Sequence, residues 1–287
     1  MSTPLRRQKR GFFMKIIDAH THIYPDALAP RAKASLEKFY NFTCQATGTV
    51  DNLIETSKEG GVSGLLLLGV ATNARQIRHV NQNLVEAMDK IRAAGLEVAA
   101  FGGIHQDCKD MAAELDFIRT AGLSGVKIHP DIQGVDIDDP RLMELYSLME
   151  GTLPVYFHMG DDRPQYRFSE AKKLIHVMKE FPRLRVGAAH FGGYRAWDHF
   201  EALAAVGGDN IMFDSSSSLW LLSPEEATKI IHALGSERIM FGTDYPVLTA
   251  KKELALFSRL RLTSQEQEDI LYNNAKRFVP FLRGLSQ

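Results

Sequence analysis

Eight short, β-rich apolar runs recur along this chain, at residues 15–22, 65–70, 98–104, 126–129, 155–158, 186–190, 211–214 and 239–244. Between most of them lie stretches with apolar residues at helical spacing: 73–94, 111–121, 141–149, 170–180, 196–206 and 224–234, with 264–281 at the end. Successive parallel strands need crossover helices, and right-handed crossovers close an eight-stranded sheet on itself. The pattern therefore predicts a single (β/α)8 TIM barrel, a fold that 287 residues suit well. A doubly wound open sheet is the rival. It calls for a Gly-rich turn after the first strand, whereas this first strand ends in His20-Thr21-His22. No linker, repeat or composition break divides the chain, so residues 14–287 are expected to form one domain behind a flexible N-terminal tail, 1–13.

Polar residues fall at one end of these runs. His20 and His22, Lys127 and His129, His158, His190, Asp214 and Asp244 all stand where a strand finishes. In a barrel those C-terminal ends share one rim, so residues far apart in sequence converge on a single mouth. Strand parity agrees, since Val126 and Ile128 would face the helices and leave Lys127 and His129 inward.

His20 and His22 share a face of one strand, and with His158 and Asp244 they offer imidazole nitrogens and a carboxylate. That set suits a divalent metal, zinc above all, with room for water. Asp244 is then the expected general base and acid, and His190 the residue that polarises the substrate or stabilises an oxyanion, with ligation of a second metal as its other option. Around the rim, Arg163 and Arg167 in the loop after the fifth strand are candidates to grip a carboxylate, and Tyr24 and Tyr245 to line the pocket. Asp214 is expected to orient a ligand or to hold its loop. His79, His176, His199 and His232 fall on predicted helices and carry no expected chemistry, and His105 lies near the rim outside the set.

The motifs Asp18-Ala19-His20-Thr21-His22, Lys127-Ile128-His129-Pro130, Tyr156-Phe157-His158-Met159-Gly160, Ala189-His190-Phe191-Gly192-Gly193 and Phe241-Gly242-Thr243-Asp244-Tyr245-Pro246, with Ile270 to Phe278 at the end, resemble the amidohydrolase superfamily. More narrowly, the chain is similar to the amidohydrolase-related (amidohydrolase 2) branch, which includes decarboxylases and lactonases. The resemblance runs from about Met14 to Phe281. It implies a metal held by His20, His22, His158 and Asp244, with His190 acting on substrate. In two-metal members a lysine at the end of the fourth strand is carbamylated and bridges the ions. Lys127 stands at that place, with His190 then a second-metal ligand. An ordinary lysine paired with Asp244 or a substrate carboxylate, beside one ion, is the preferred reading. His129 is expected as a substrate contact beside it or as a structural ring.

The expected activity is hydrolysis of an amide, ester or lactone of a small organic acid by a metal-activated water. The alternative is a metal-dependent, non-oxidative decarboxylation of an aromatic or unsaturated acid. The stretch 25–50 leaves little room for the long insertion that the decarboxylases carry after the first strand, which favours hydrolysis. Metal-dependent nucleases that also begin with His-x-His carry a Glu-Ile-Gly-Leu-Asp motif lacking here. Lys plus Arg number 34 against 35 for Asp plus Glu, a balance that disfavours nucleic acid as a partner. A barrel that only binds should have lost a ligand, and none of the set is missing. No apolar run is long enough for a membrane span, and two distant cysteines, Cys44 and Cys108, argue against a disulfide scaffold. A cytoplasmic enzyme, and possible pairing into a homodimer, are the remaining expectations.

Overall fold

The computed structural model describes residues 15–284 apart from residue 207. The tail expected at 1–13 lies outside the described residues. The strands are β1 (Ile17–Thr21), β2 (Gly64–Leu68), β3 (Glu97–Gly103), β4 (Gly125–Ile128), β5 (Val155–Phe157), β6 (Val186–Ala188), β7 (Ile211–Asp214) and β8 (Ile239–Met240). They pair in parallel in chain order from β1 to β8. The seam closes through Ala19 N on Phe241 O at 2.8 Å, Asp244 N on His20 O at 2.9 Å and His22 N on Tyr245 O at 2.8 Å. The chain is thus a (β/α)8 barrel, as the periodicity predicts.

The alternation of each strand sorts the core into two shells. Leu65, Leu67, Val126, Ile128, Val155 and Phe157 point outward to the helices, while Leu66, Leu68, Phe101, Tyr156, Met212 and Met240 fill the barrel. Full burial of a leucine contributes about 1.5–3 kcal/mol, and β2 alone buries four of them. The foot of the barrel is plugged by Ala275, Phe278, Val279 and Phe281. This last helical stretch is one continuous path in three parts, Ser264–Glu268, a π-helical turn at Asp269–Asn273, and Asn274–Phe278.

Helix α1 (Ala29–Tyr40) and helix α2 (Val50–Glu59) both follow β1, where the sequence suggests none. Helix α2 starts at Thr49, whose side chain caps Asn52 N, and it buries Leu53 against the barrel. Helix α1 buries only Ala29 fully, because its apolar face looks into the mouth of the barrel. Helix α3 (Ile77–Ala93), α4 (Met111–Thr120), α5 (Pro130–Gln133), α6 (Pro140–Met149), α7 (Ala171–Glu180), α8 (Phe200–Ala204), α9 (Pro224–Leu234) and α10 (Ala250–Phe257) complete the outer layer. Of these, the short α5 and the whole of α10 are additions to the sequence pattern. The helix expected over 196–206 shrinks to a 3-10 turn and the five residues of α8.

Candidate metal centre and cavity

The strands stop pairing just short of the residues of interest. His22 follows β1, His129 caps α5, His158 follows β5, and His190 begins a left-handed turn two residues after β6. These side chains therefore stand on the rim, where backbone hydrogen bonds end and a ring can turn toward the axis.

At the end of β1 the protonation of both histidines is fixed from behind. His20 Nδ1 lies 2.8 Å from Asp214 Oδ2, and His22 Nδ1 lies 2.7 Å from Leu68 O. Both partners only accept, so each Nδ1 carries the hydrogen and each Nε2 is left as a bare electron pair. Those Nε2 atoms face each other at 3.1 Å, and Asp244 Oδ1 stands 3.4 Å from both. Burial pushes the His20 pKa down to about 4, which keeps the ring neutral. Burial alone would raise the Asp244 carboxyl, but His20, His22 and His190, each able to carry positive charge, close around it and hold it well below the usual carboxylate range.

Two lone pairs and an anion aimed at one point repel unless a cation lies among them. Donors bound about 2.0–2.2 Å from one ion, at tetrahedral to octahedral angles, lie about 2.9–3.5 Å apart. The separations here match that edge length, so His20, His22 and Asp244 fit a divalent metal. A neighbouring group, His20, His190 and Asp214, has ligand-like spacing too. Its nitrogens are already spent as donors, with His190 Nδ1 on Ser216 O at 2.9 Å and Ser216 Oγ on Asp214 Oδ1 at 2.5 Å. That group is a hydrogen-bonded frame.

Asp214 is the hub of that frame. It also accepts His190 N at 3.1 Å, Ser216 N at 2.9 Å and Tyr156 OH at 2.5 Å. Burial would raise its pKa, but His20 overrides this and holds the carboxylate ionised. Tyr156 has room to reach it because β5 pairs with Gly187, where a Cβ would sit 2.5 Å from the tyrosine ring. His190, Ser217 and Asp244 have φ of 60°, 49° and 56°. Each such non-glycine residue costs about 1–3 kcal/mol and persists only where its surroundings dictate it. Ser217 Oγ gives its hydrogen to Asp244 Oδ2 at 2.6 Å, fixing the second carboxylate oxygen.

His158 stands beside this set without joining it. Its Nδ1 faces His190 Nε2 at 3.1 Å, and its Nε2 lies 3.3 Å from Tyr40 OH and 3.4 Å from Asp131. His129 stacks on His158 with ring centres 4.1 Å apart and meets Tyr40 OH at 3.0 Å. Burial lowers the pKa of both rings well below the imidazole range. Lys127 points inward as parity requires, yet its Nζ has no hydrogen-bond partner among the described residues and sits over the Tyr156 ring at 5.1 Å. The expected pairing with Asp244 is thus not made, and burial pulls the lysine pKa down to about 8.

A cavity of about 550 Å³ opens above the rim, lined by His22, His129, His158, His190, Ser217 and Asp244 below and by α1 above. Tyr24 lines it, as does Tyr194. Three expected contacts do not. Arg163 clamps Asp161 at 2.8 and 2.6 Å, donates to Phe39 O at 2.6 Å and stacks on Tyr166, so it fastens the end of α1. Arg167 is exposed and pairs with Glu170 at 3.3 Å. The Tyr245 hydroxyl turns away to Thr49 O at 3.0 Å and Asn52 at 3.1 Å. Conversely, Tyr40, Ser217 and Tyr156 have functional positions that the sequence reading passes over. The aromatic cluster Phe39-Tyr40-Asn41-Phe42 in a short, polar stretch is the signal that could have revealed the cover.

A family model described as amidohydrolase matches residues 17–281. No curated protein matches the chain. Among solved structures, the chain is similar to an uncharacterised TIM-barrel protein from Bordetella bronchiseptica, with 21% identity, 92% of this chain and 98% of that one covered, and a TM-score of 0.73. It is also similar to 5-carboxyvanillate decarboxylase from Sphingomonas paucimobilis, with 15% identity, coverage of 94% and 100%, and a TM-score of 0.70. A third is a dihydroxybenzoic acid decarboxylase from Polaromonas sp. JS666 with bound manganese and the inhibitor 2-nitroresorcinol, with 13% identity, coverage of 92% and 96%, and a TM-score of 0.65. At these identities the likeness concerns the fold.

Proposed function

Because the chain belongs to the amidohydrolase family, we propose that it is a metal-dependent hydrolase that cleaves an amide, ester or lactone of a small organic acid. The observation that carries the reading is the convergence of two deprotonated imidazole nitrogens and an ionised carboxylate at 3.1–3.4 Å on the floor of an apolar cavity. One divalent ion, zinc in the first instance, would be held by His20, His22 and Asp244. His158 would be the fourth donor once its ring exchanges the His190 and Tyr40 contacts for the ion. Bound there, such an ion lowers the pKa of water toward about 7 and polarises a carbonyl.

The chain's own groups supply the rest. Asp244 is ionised, and its Oδ2 is kept at the cavity edge by Ser217, so it is set to take a proton from water and return it to the leaving group. His190 keeps its hydrogen on Nδ1 against Ser216 O, so Nε2 is the edge it would offer to substrate once His158, now 3.1 Å from it, has turned to the ion. The aromatic side chains of α1 exclude bulk water from both. Lys127, buried near the frame beneath the cavity and without a partner among the described residues, is an ordinary lysine in this reading.

Decarboxylation is the second reading, and two observations favour it. Helix α1 covers the mouth although the stretch 25–50 leaves little room for the long insertion of the decarboxylases, and the cavity beneath is apolar and aromatic, an environment that promotes loss of carbon dioxide from a carboxylate. Solved structures named as decarboxylases share the fold. In that case Asp244 would take a proton from water or from a substrate hydroxyl and pass it to the carbon that loses carbon dioxide. Turnover of a panel of aryl esters, lactones and hydroxybenzoates in 18O-water separates the two. Label in the product acid supports hydrolysis, whereas carbon dioxide release with no label in the organic product assigns the lyase.

A further inference from the structure

Helix α1 runs along the cavity for most of its length. Arg31, Ser35, Phe39 and Tyr40 all line it, and the Tyr40 hydroxyl touches His129 and His158 at the metal end. From Arg31 to Tyr40 are nine residues, or about 13 Å of helix axis at ~1.5 Å per residue. Between these ends the wall is apolar, formed by Ala32, Leu36, Val70 and Ile132. Arg31 is the single lysine or arginine among the described residues lining the cavity. It forms no ion pair with any described residue, although Lys33, two positions on, pairs with Glu37 at 3.8 Å. Thr72 and Gln76, which also line the cavity, bring no charge, and the Thr72 hydroxyl gives its hydrogen to Gln76 Oε1 at 2.8 Å. The arginines of the loop after β5 are committed elsewhere.

The geometry points to Arg31 as a recognition site for an anionic group that the substrate carries at the end remote from its reacting bond. The ligand is then a two-ended acid: a metal-binding carbonyl or carboxylate, an apolar or aromatic middle, and a distal carboxylate. An anion brought into this mouth loses water on its apolar side, and a guanidinium supplies charge-assisted hydrogen bonds in exchange. This inference rests on the metal reading of the same cavity.

The test uses zinc-reconstituted protein and two probes with the same chain, suberic monohydroxamate, which ends in a carboxylate, and octanohydroxamate, which does not. Calorimetry at low ionic strength should show the acid binding roughly fivefold more tightly to the wild type, a difference sized for one partly exposed charge pair. Arg31→Ala should erase that preference and Arg31→Glu reverse it, with octanohydroxamate affinity unchanged in both. Arg31 is exposed, so neither variant threatens folding. Equal wild-type affinity for the two probes, or a preference that survives Arg31→Ala, overturns the Arg31 site and leaves the metal reading intact. Binding of neither probe, or binding indifferent to zinc, overturns the metal reading and the site with it.

Discussion

At the scale of single residues, the site is governed by which nitrogen of each ring holds its hydrogen. Leu68 O and Asp214 set the tautomers of His22 and His20, and the consequence is an electron-rich point shared with Asp244. His22→Ala removes one donor and leaves the fold intact, so metal measured by elemental analysis after dialysis should fall to background while circular dichroism is unchanged. Full retention of metal would remove His22 from the set. Asp214 acts one step back. Asp214→Asn keeps the shape but weakens the hold on His20, and metal affinity should drop by about 10–100-fold, as for other outer partners of ligating histidines. Competition with a chromogenic chelator measures this, and an unchanged constant would make Asp214 a purely structural acid.

At the scale of elements, the barrel delivers the proposed ligands and α1 delivers the cover. Arg163 ties the two together through Asp161 and Phe39 O. Arg163→Ala should free the end of α1, leave buried Asp161 unpaired and open the chain to limited proteolysis between residues 25 and 44, with KM raised more than kcat is lowered. Protease resistance equal to wild type would show that α1 needs no such clamp. The strands and their rim residues were legible because alternation and strand ends are local properties: β4 shows Lys127 inward as Val126 and Ile128 require. Helix α1 was not legible, because its apolar face covers an empty mouth and so lacks the strong stripe of a core-facing helix. Arg163 looked free for substrate for the same reason, since its acid and aromatic partners are assembled only once α1 is in place. The orientation of His158 likewise depends on Tyr40, a residue brought from more than a hundred positions away.

At the scale of the whole molecule, the barrel buries acids whose loss of water outweighs the hydrogen bonds they receive, three at Asp18 and none at the Glu253 carboxylate. Burial raises Asp18 to about 7 and Asp131 to about 8, and it raises Glu253 of α10 well above the carboxylate range, both of whose oxygens lack partners. Between the unfolded values of about 4 and these folded values, the native state holds protons that the unfolded state has lost. Each such group therefore lowers the stability of the metal-free protein by about 1.4 kcal/mol per unit as pH rises from about 5 toward 7, while the buried rings of His20, His129 and His158, held below the unfolded imidazole value, contribute the opposite slope up to about pH 6.5. Urea titrations at several pH values test this, and Glu253→Gln should make the slope of stability against pH more positive than in the wild type by about one group's share. Identical slopes would mean that Glu253 is ionised or solvated in the native state. The proposed function requires one cation at the Nε2 side of His20. Anomalous scattering at the zinc edge from crystals of the reconstituted protein tests it most directly. The account predicts a single strong peak bounded by His20 Nε2, His22 Nε2 and Asp244 Oδ1. No peak, or a peak on the Nδ1 side among His20, His190 and Asp214, would contradict it.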